Sequence, residues 1–437
     1  MQAHETAAAP IGTASPASRS LTRQDYKTLS LAALGGALEF YDFIIFVFFA
    51  TTIGALFFPP AMPDWLRLFQ TFGIFAAGYI VRPLGGMVMA HFGDLLGRKK
   101  MFNLSILLMA LPTLAIGLLP TYAAAGLAAP LLLLLMRVLQ GAAVGGEVPG
   151  AWVFVSEHVP ERRIGFACGT LTAGLTCGIL LGSLMATAIN SAFTPEQVTQ
   201  FAWRIPFLLG GVFGLGAMFL RRWLHETPVF TELQRRKALA AELPLKAVLR
   251  GHRRAVAVSM LLTWMLSAGI VVVILMTPAL LQKVYGFDAP TALSANTVAT
   301  LCLALGCVVA GALADRLGAR RVLLGGAALL AACTYAFYTT LRASPELLLP
   351  LYALLGFAVG VVGAVPAVMV RAFPAAVRFS GLSFSYNLSY AVFGGLTPVM
   401  VTLLLKTQPL APAWYVMMLC AVGATTALFI EDPPRAG

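Results

Sequence analysis

Twelve apolar stretches of roughly membrane-crossing length take up most of this chain. A lipid core asks about 20 mostly apolar residues of a helix, and only helices or closed barrels satisfy their backbone polar groups there. The stretches fall near 29–57, 68–90, 101–119, 127–154, 165–189 and 204–220, then near 255–281, 292–314, 322–341, 347–369, 379–404 and 412–430. The loop after the second stretch returns after the eighth. Its first copy runs through Gly93, Asp94, Gly97 and Arg98, and its second through Gly311, Asp315, Arg316, Gly318 and Arg320. About half the chain separates the two aspartates. The sequence therefore reads as an all-α membrane protein of twelve transmembrane helices in two six-helix pseudo-repeats. The expected organisation is a disordered cytoplasmic tail (1–27), a first bundle (28–222), a cytoplasmic central loop (223–254), a second bundle (255–430) and a short tail (431–437).

Composition excludes a soluble globular protein. Residues are 59% hydrophobic and 11% charged, where soluble domains carry roughly 25% charged residues. The net charge of +12 suggests nucleic acid until its placement is read. Arg23 and Lys27 precede the first span, Arg98 to Lys100 follow the second, Arg162 and Arg163 follow the fourth, and the central loop is rich in arginine. The opposite side holds few bases: Arg67, Arg204, Lys283, Arg342 and Lys406. By the positive-inside rule both termini are cytoplasmic in a multi-pass protein of the plasma membrane. Basicity here records topology and contact with anionic lipid rather than a nucleic-acid footprint. The six cysteines all lie in apolar stretches without metal-type clustering, which reads as buried free thiols, with no metal and no cofactor expected. The first 20 residues lack an apolar run, so no cleaved signal peptide is expected.

A charge at the bilayer centre costs roughly 2.5–3.5 kcal/mol on insertion scales, so intramembrane charges mark sites. Glu39, Asp42, Glu147, Arg82 and Arg137 are the ones well inside spans. Glu39 and Asp42 are three apart and share a helix face. Two carboxylates so placed suit proton coupling, one holding a proton and releasing it as a cation approaches. The alternative is a buried ion pair, such as Asp42 with Arg82, that fixes packing. Arg82 lies about 12 residues before Asp94, hence about 18 Å above the cytoplasmic loop by helical rise. Its planar fork suits a substrate carboxylate. Arg137 is read as structural, proton-coupling or substrate-binding. Arg204, beside Trp203 at the outer interface, either snorkels or captures an anion. Tyr41, Tyr386, Tyr390 and Asn387 are candidate cavity residues, and Gly174, Gly178 and Gly182 give the small-residue spacing of close helix packing. Parallel repeats of this kind place a substrate site at the midplane between the halves.

The repeated loop resembles the signature of the major facilitator superfamily, and the second copy fits it better than the first, where Ala90 and Leu95 replace a glycine and a basic residue. Further strings resemble the superfamily's metabolite:proton symporters: Glu39-Phe40-Tyr41-Asp42-Phe43, Arg82-Pro83-Leu84-Gly85, Arg137-Val138-Leu139-Gln140-Gly141 with Gly145-Gly146-Glu147, Trp203-Arg204-Ile205-Pro206-Phe207, and Arg378-Phe379-Ser380-Gly381. One departure is Pro149, where members often show glycine or an aromatic residue. The resemblance covers nearly the whole chain. It implies a non-enzymatic, proton-coupled importer of a small organic anion, working by alternating access, or of a zwitterion such as proline or betaine. In that reading Glu39, Asp42 and Glu147 couple protons, and Arg82, Arg137, Arg204, Tyr41, Tyr386 and Asn387 meet the substrate. The two repeated loops latch the halves, and a monomer is expected. A membrane-embedded sensor is the alternative of another class, but neither a phosphate-binding loop nor a Ser-His-Asp order supports a catalytic one.

Overall fold

The computed structural model describes residues 21–96, 98–221, 244–374 and 377–430, without the side chains of Thr28, Glu39, 90–103, Ile106, Ala217, Met218, Leu220, Arg221 and 244–247. Helices fill the described residues and no strand occurs among them. Ten are long and apolar enough to cross a membrane. In the first half these are α1 (Arg23–Phe48), α2 (Asp64–Met89), α4 (Ala128–His158) and α5 (Glu161–Ala192), with the shorter apolar helices α3 (Leu107–Leu118) and α6 (Ala202–Gly216) between them in order. The second half supplies α7 (Arg253–Lys283), α8 (Ala289–Leu317), α9 (Ala319–Ala343), α10 (Pro345–Ala372), α11 (Arg378–Leu404) and α12 (Ala411–Leu428).

The first helix begins earlier than the apolar pattern indicates. Thr22 and Asp25 form a reciprocal capping box, Thr22 accepting from the Asp25 N–H and Asp25 from the Thr22 N–H. These bonds satisfy orphan donors at the helix start, so residues 23–27, expected in the tail, are helical. Residues 1–20, the segment 222–243 and the stretch 431–437 lie outside the described residues.

Helix pairing repeats between the halves. Within the first six, α1 packs on α5, α2 on α4 and α3 on α6; within the second six, α7 packs on α11, α8 on α10 and α9 on α12. Adding six to each member of the first set gives the second. The halves meet along α5 and α8, and along α2 and α11. At the α5–α8 crossing the Gly165 carbonyl lies where a Cβ on Gly311 would project, and the reverse also holds, so only glycine permits this approach. Gly174 and Gly178 seat α5 likewise against Ala33 and Ala37 of α1.

Several spans are interrupted near mid-depth, in matching places. α1 gives way at Phe49 to a short helix, Ala50–Phe57, and its counterpart α7 widens into a π-helix at Gly269–Met276. α4 breaks at Gly145 and Gly146, and its counterpart α10 tightens into a 3-10 turn at Gly360–Ala364. A further π-helical turn, Tyr390–Gly394, interrupts α11. The break in α4 also accounts for Pro149. The new helix starts at Glu147, so Pro149 stands in a first turn, where its missing N–H leaves no intrahelical bond unmade. Interrupted helices of this kind free backbone groups where a site is built.

Candidate functional site

Arg82 stands on α2 where it faces α11, one helix from each half. It is 1% exposed, and its Nε and Nη2 have no hydrogen-bond partner. The guanidinium carbon lies 5.2 Å from the ring centre of Tyr79, 5.4 Å from Tyr386, 4.8 Å from Tyr390 and 6.0 Å from Phe43. These rings form a continuous chain across the junction. Phe43 meets Tyr79 edge-on at 5.2 Å, Tyr79 stacks on Tyr390 at 5.3 Å, Tyr390 leans on Tyr386 at 4.7 Å, and Trp152 meets Tyr386 edge-on at 5.0 Å. Ring faces carry partial negative charge and attract the guanidinium. They do not replace the hydrogen bonds that its two buried donors lack. Asn387, next to Tyr386, donates from Nδ2 to the carbonyl of Gly145 at the α4 break and to Ser383 Oγ at 3.2 Å.

Arg137 also has a buried Nε and Nη2 without a hydrogen-bond partner, but its surroundings differ. Its Nη1 donates to the Phe43 carbonyl at 3.0 Å and to Gln140 Oε1 at 2.8 Å. Gln140 Nε2 in turn donates to Thr113 Oγ1 at 2.7 Å. The rings of Phe43, Phe46 and Phe75 enclose the guanidinium at 4.2, 4.6 and 5.1 Å. Every one of these residues belongs to the first half, so the arginine binds α1, α2, α3 and α4 to one another. Glu147, also buried, accepts from Ser105 Oγ at 3.4 Å, between α4 and the helix Arg98–Leu118.

Asp42 does not pair with Arg82. Its carboxylate is 1% exposed, neither oxygen has a hydrogen-bond partner, and it points away from the junction. It faces α6, where Cβ atoms on Gly210 and Gly214 would lie 2.6 Å from Oδ1 and 3.1 Å from Oδ2. The two glycines thus make the room the carboxylate fills. Tyr41 beside it donates to the Pro206 carbonyl at 2.9 Å, which ties α1 to α6 and takes Tyr41 away from the junction. The backbone of Glu39 lies in α1; its side chain is outside the description. Arg204 also serves the fold: Nη1 donates to the carbonyls of Gly117 and Leu119, both at 2.8 Å, while the guanidinium covers Trp203 at 4.5 Å. It caps the end of α3.

At the end of α8, Asp315 accepts the N–H groups of Gly165 and Phe166 at 2.8 and 2.7 Å. A carboxylate of the second half thereby caps the first turn of the helix Ile164–Ala192, where the helix dipole favours a negative charge. Arg371 of α10 completes the contact, reaching Asp315 Oδ1 at 3.4 Å and the Glu161 carbonyl at 3.1 Å. Arg378 adds an ion pair to Glu157 at 3.7 Å. Gly318 adopts φ 93°, a turn that suits glycine, and Arg316 and Arg320 are exposed. In the first copy of the loop, Gly97 and the side chains of Asp94 and Arg98 are outside the description, as is Gly93 beyond its helical backbone. At the opposite end of the molecule, Lys406 Nζ lies 3.5 Å over the ring of Trp65, and Ser183 bonds to Thr297 Oγ1 at 2.9 Å. The two halves therefore touch at both ends.

A sequence model of the Major Facilitator Superfamily matches residues 43–398 and 278–437. The chain belongs to the Major Facilitator Superfamily. Superfamily members similar to it include a Staphylococcus aureus protein named "Putative proline/betaine transporter", 33% identical over 409 residues, 93% of this chain and 88% of that one. The Klebsiella pneumoniae citrate-proton symporter is 34% identical over 392 residues, 89% of this chain and 87% of the other. Among solved superfamily structures, the proton:xylose symporter XylE superposes with a TM-score of 0.75 at 18% identity, covering 93% of this chain and 96% of that one. That last likeness concerns the fold.

Within this superfamily fold, the junction unites Arg82, Tyr386 and Asn387 and leaves out Arg204, Tyr41 and Asp42. Sequence reasoning missed Tyr79, Trp152 and the glycine pair on α6. Two of these had a local signal. Tyr79 precedes Arg82 by three positions on one helix face, and Gly210 and Gly214 repeat the small-residue spacing recognised on α5.

Proposed function

We propose that this chain is a proton-coupled symporter that imports a small carboxylate-bearing solute by alternating access. The observation that carries this reading is Arg82, a buried arginine at the junction of the halves with two N–H donors left unpaired. Two adjacent donors in one plane match the two oxygens of a carboxylate. An organic anion and a zwitterion both offer that group, and the citrate-proton and proline/betaine names of the two relatives accord with either.

Proton coupling falls to Asp42. A buried carboxylate without partners costs several kcal/mol as an anion, which is the ground for assigning it the coupled proton. A change in the α1–α6 packing that admitted water or a cation would release the proton. Glu147, bonded to Ser105, and Glu39, its neighbour one helical turn earlier, complete the candidate acids. Arg137 supports this machinery by fixing α1 against α4 and does not touch the solute. The six-helix units 28–222 and 255–430 rock about the junction, with Asp315, Arg371, Glu157 and Arg378 closing the cytoplasmic end. Both termini face the cytoplasm of a bacterial inner membrane, and the monomer is the working unit.

The test is transport by the purified chain in proteoliposomes. A pH gradient, inside alkaline, is expected to drive accumulation of a carboxylate solute. Asp42→Asn is expected to abolish that accumulation while sparing counterflow exchange, which moves no net proton. Uphill accumulation retained by Asp42→Asn removes Asp42 from coupling. Carboxylate transport by the wild-type chain that ignores the pH gradient refutes the symport reading altogether.

A further inference from the structure

At the end of the molecule opposite Asp315, polar side chains of both halves meet out of reach of water. We infer that Ser183, Asn296 and Tyr352 form a relay that closes this end and ties the closure to the π-helical turn of α7. Asn296 and Tyr352 are then positioning residues of the transport cycle.

The relay starts in the first half. Ser183 Oγ of α5 lies 3.2 Å from the Leu293 carbonyl and 2.9 Å from Thr297 Oγ1, both on α8, and accepts from Asn296 Nδ2 at 3.3 Å. Asn296 precedes Asp315 on α8 by about 28 Å of helical rise. Its Oδ1 lies 2.5 Å from the Tyr352 hydroxyl of α10, which also reaches the Val273 carbonyl of α7 at 2.7 Å. A single hydroxyl proton is thus shared between an acceptor on α8 and one on α7. Ser183, Asn296 and Tyr352 are all fully buried.

These bonds depend on how the halves stand, and most buried hydroxyl bonds nearby do not. Thr300 and Thr334 donate to carbonyls of their own helices, which stay in reach in any arrangement. The Ser183–Asn296 bond exists only while α5 and α8 stay together at this end. Parting them leaves a buried amide unpaired until water enters, and an unmade buried bond costs more than a made one gains. The network therefore favours closure. It also divides the α5–α8 seam into two kinds of contact. Toward Asp315, Cβ atoms on Gly165 and Gly169 would meet carbonyls of α8, so backbones touch there. At the far end hydrogen bonds hold the same two helices.

The other terminus of the relay is Val273, within the π-helix Gly269–Met276. That π-helix packs against α1 of the first half and against the Gly395–Leu404 part of α11. Tyr352 holds it at Val273, and Tyr338 of α9 holds the residue after it, Thr277, at 2.7 Å. Loss of the Ser183–Asn296 contact reaches, through Tyr352, a turn seated against the helix that carries Asp42. π-Helical turns recur at functional sites, and this one links the far seam to α1.

The experiment reads the far end directly, in the full chain in lipid nanodiscs, without native cysteines and with spin labels at the exposed positions 196 and 346, one in each half. Ser183→Ala, Asn296→Leu and Tyr352→Phe each remove one link with little change in shape. In each, the ratio of long to short distances is expected to rise about two- to tenfold, the equivalent of one lost hydrogen bond. Thr334→Val loses a buried hydrogen bond inside one half and should leave the distances unaltered. Should Asn296→Leu fail to fold, the other two variants still decide. Unaltered distances in both Ser183→Ala and Tyr352→Phe overturn the inference. A shift in only one of the two breaks the relay and overturns it too, as does an equal shift in Thr334→Val, which would show general loosening. No solute enters the measurement, so each of these failures leaves the reading of Arg82 and Asp42 standing.

Discussion

Three arginines that look alike in the sequence have three different surroundings. Arg82 and Arg137 both have aromatic faces and an unpaired Nε and Nη2, but Arg82 lies at the junction of the halves while Arg137 also has carbonyl and amide partners within the first half, and Arg204 has a helix end. Different losses follow. Arg82→Lys keeps the charge but replaces a planar fork with a point donor, so apparent solute affinity is expected to fall at least tenfold in a binding titration. Arg204→Ala leaves the Gly117 and Leu119 carbonyls without their donor, which costs about 1–3 kcal/mol. A lowered melting temperature in detergent with unchanged solute affinity is the expected result; weakened affinity at unchanged stability would return Arg204 to the binding site. Gly210→Ala places a methyl 2.6 Å from Asp42 Oδ1, so α1 and α6 must part. Coupled uptake should decline more than counterflow, and equal decline of both would show a packing defect alone.

At the scale of elements, the broken helices free backbone groups at the junction. The α4 break exposes the Gly145 carbonyl, and Asn387 from the opposite half takes it up. The π-helical turn of α11 starts at Tyr390, one of the rings over Arg82. The contact at the Asp315 end is likewise a matter of helix ends, since Asp315 caps the first turn of α5 from across the junction. Asp315→Asn keeps an acceptor but removes the charge that the dipole favours, an effect of about 0.3–1 kcal/mol, up to about 2 in partly buried geometry. The closed cytoplasmic end should be populated less. Spin labels at the exposed positions 162 and 320 are expected to show a longer distance component in the variant. An unaltered distribution would mean that Arg371 and the Glu157–Arg378 pair hold the end without it.

For the whole molecule, the repeated pairing of helices, α1–α5 with α7–α11 and so on, gives two similar bodies that meet along two seams. The α5–α8 seam is glycine-lined and lets the backbones approach closely, whereas the α2–α11 seam is aromatic. Orientation is predicted from charge placement. In a variant without the native cysteines, a cysteine at Thr407 should react with an impermeant thiol reagent in intact cells, whereas one at Arg250 should not. The reverse pattern would invert the protein in the membrane.

Spans and repeat were legible because each is written in contiguous residues: apolar length and a duplicated loop. Local chemistry also marked Arg82 and Asp42 as unusual, since a charge within an apolar run is costly wherever the run packs. The surroundings of those charges were not legible. The sequence allowed Asp42 to meet Arg82, yet in the fold one faces α6 and the other α11. It treated Tyr41 and Tyr386 as similar candidates, yet one ties α1 to the Pro206 carbonyl and the other lines the junction. Helical periodicity tells which residues share a face. Which neighbour that face meets depends on how each helix is turned and tilted against the others, and residues distant in the chain decide that through packing.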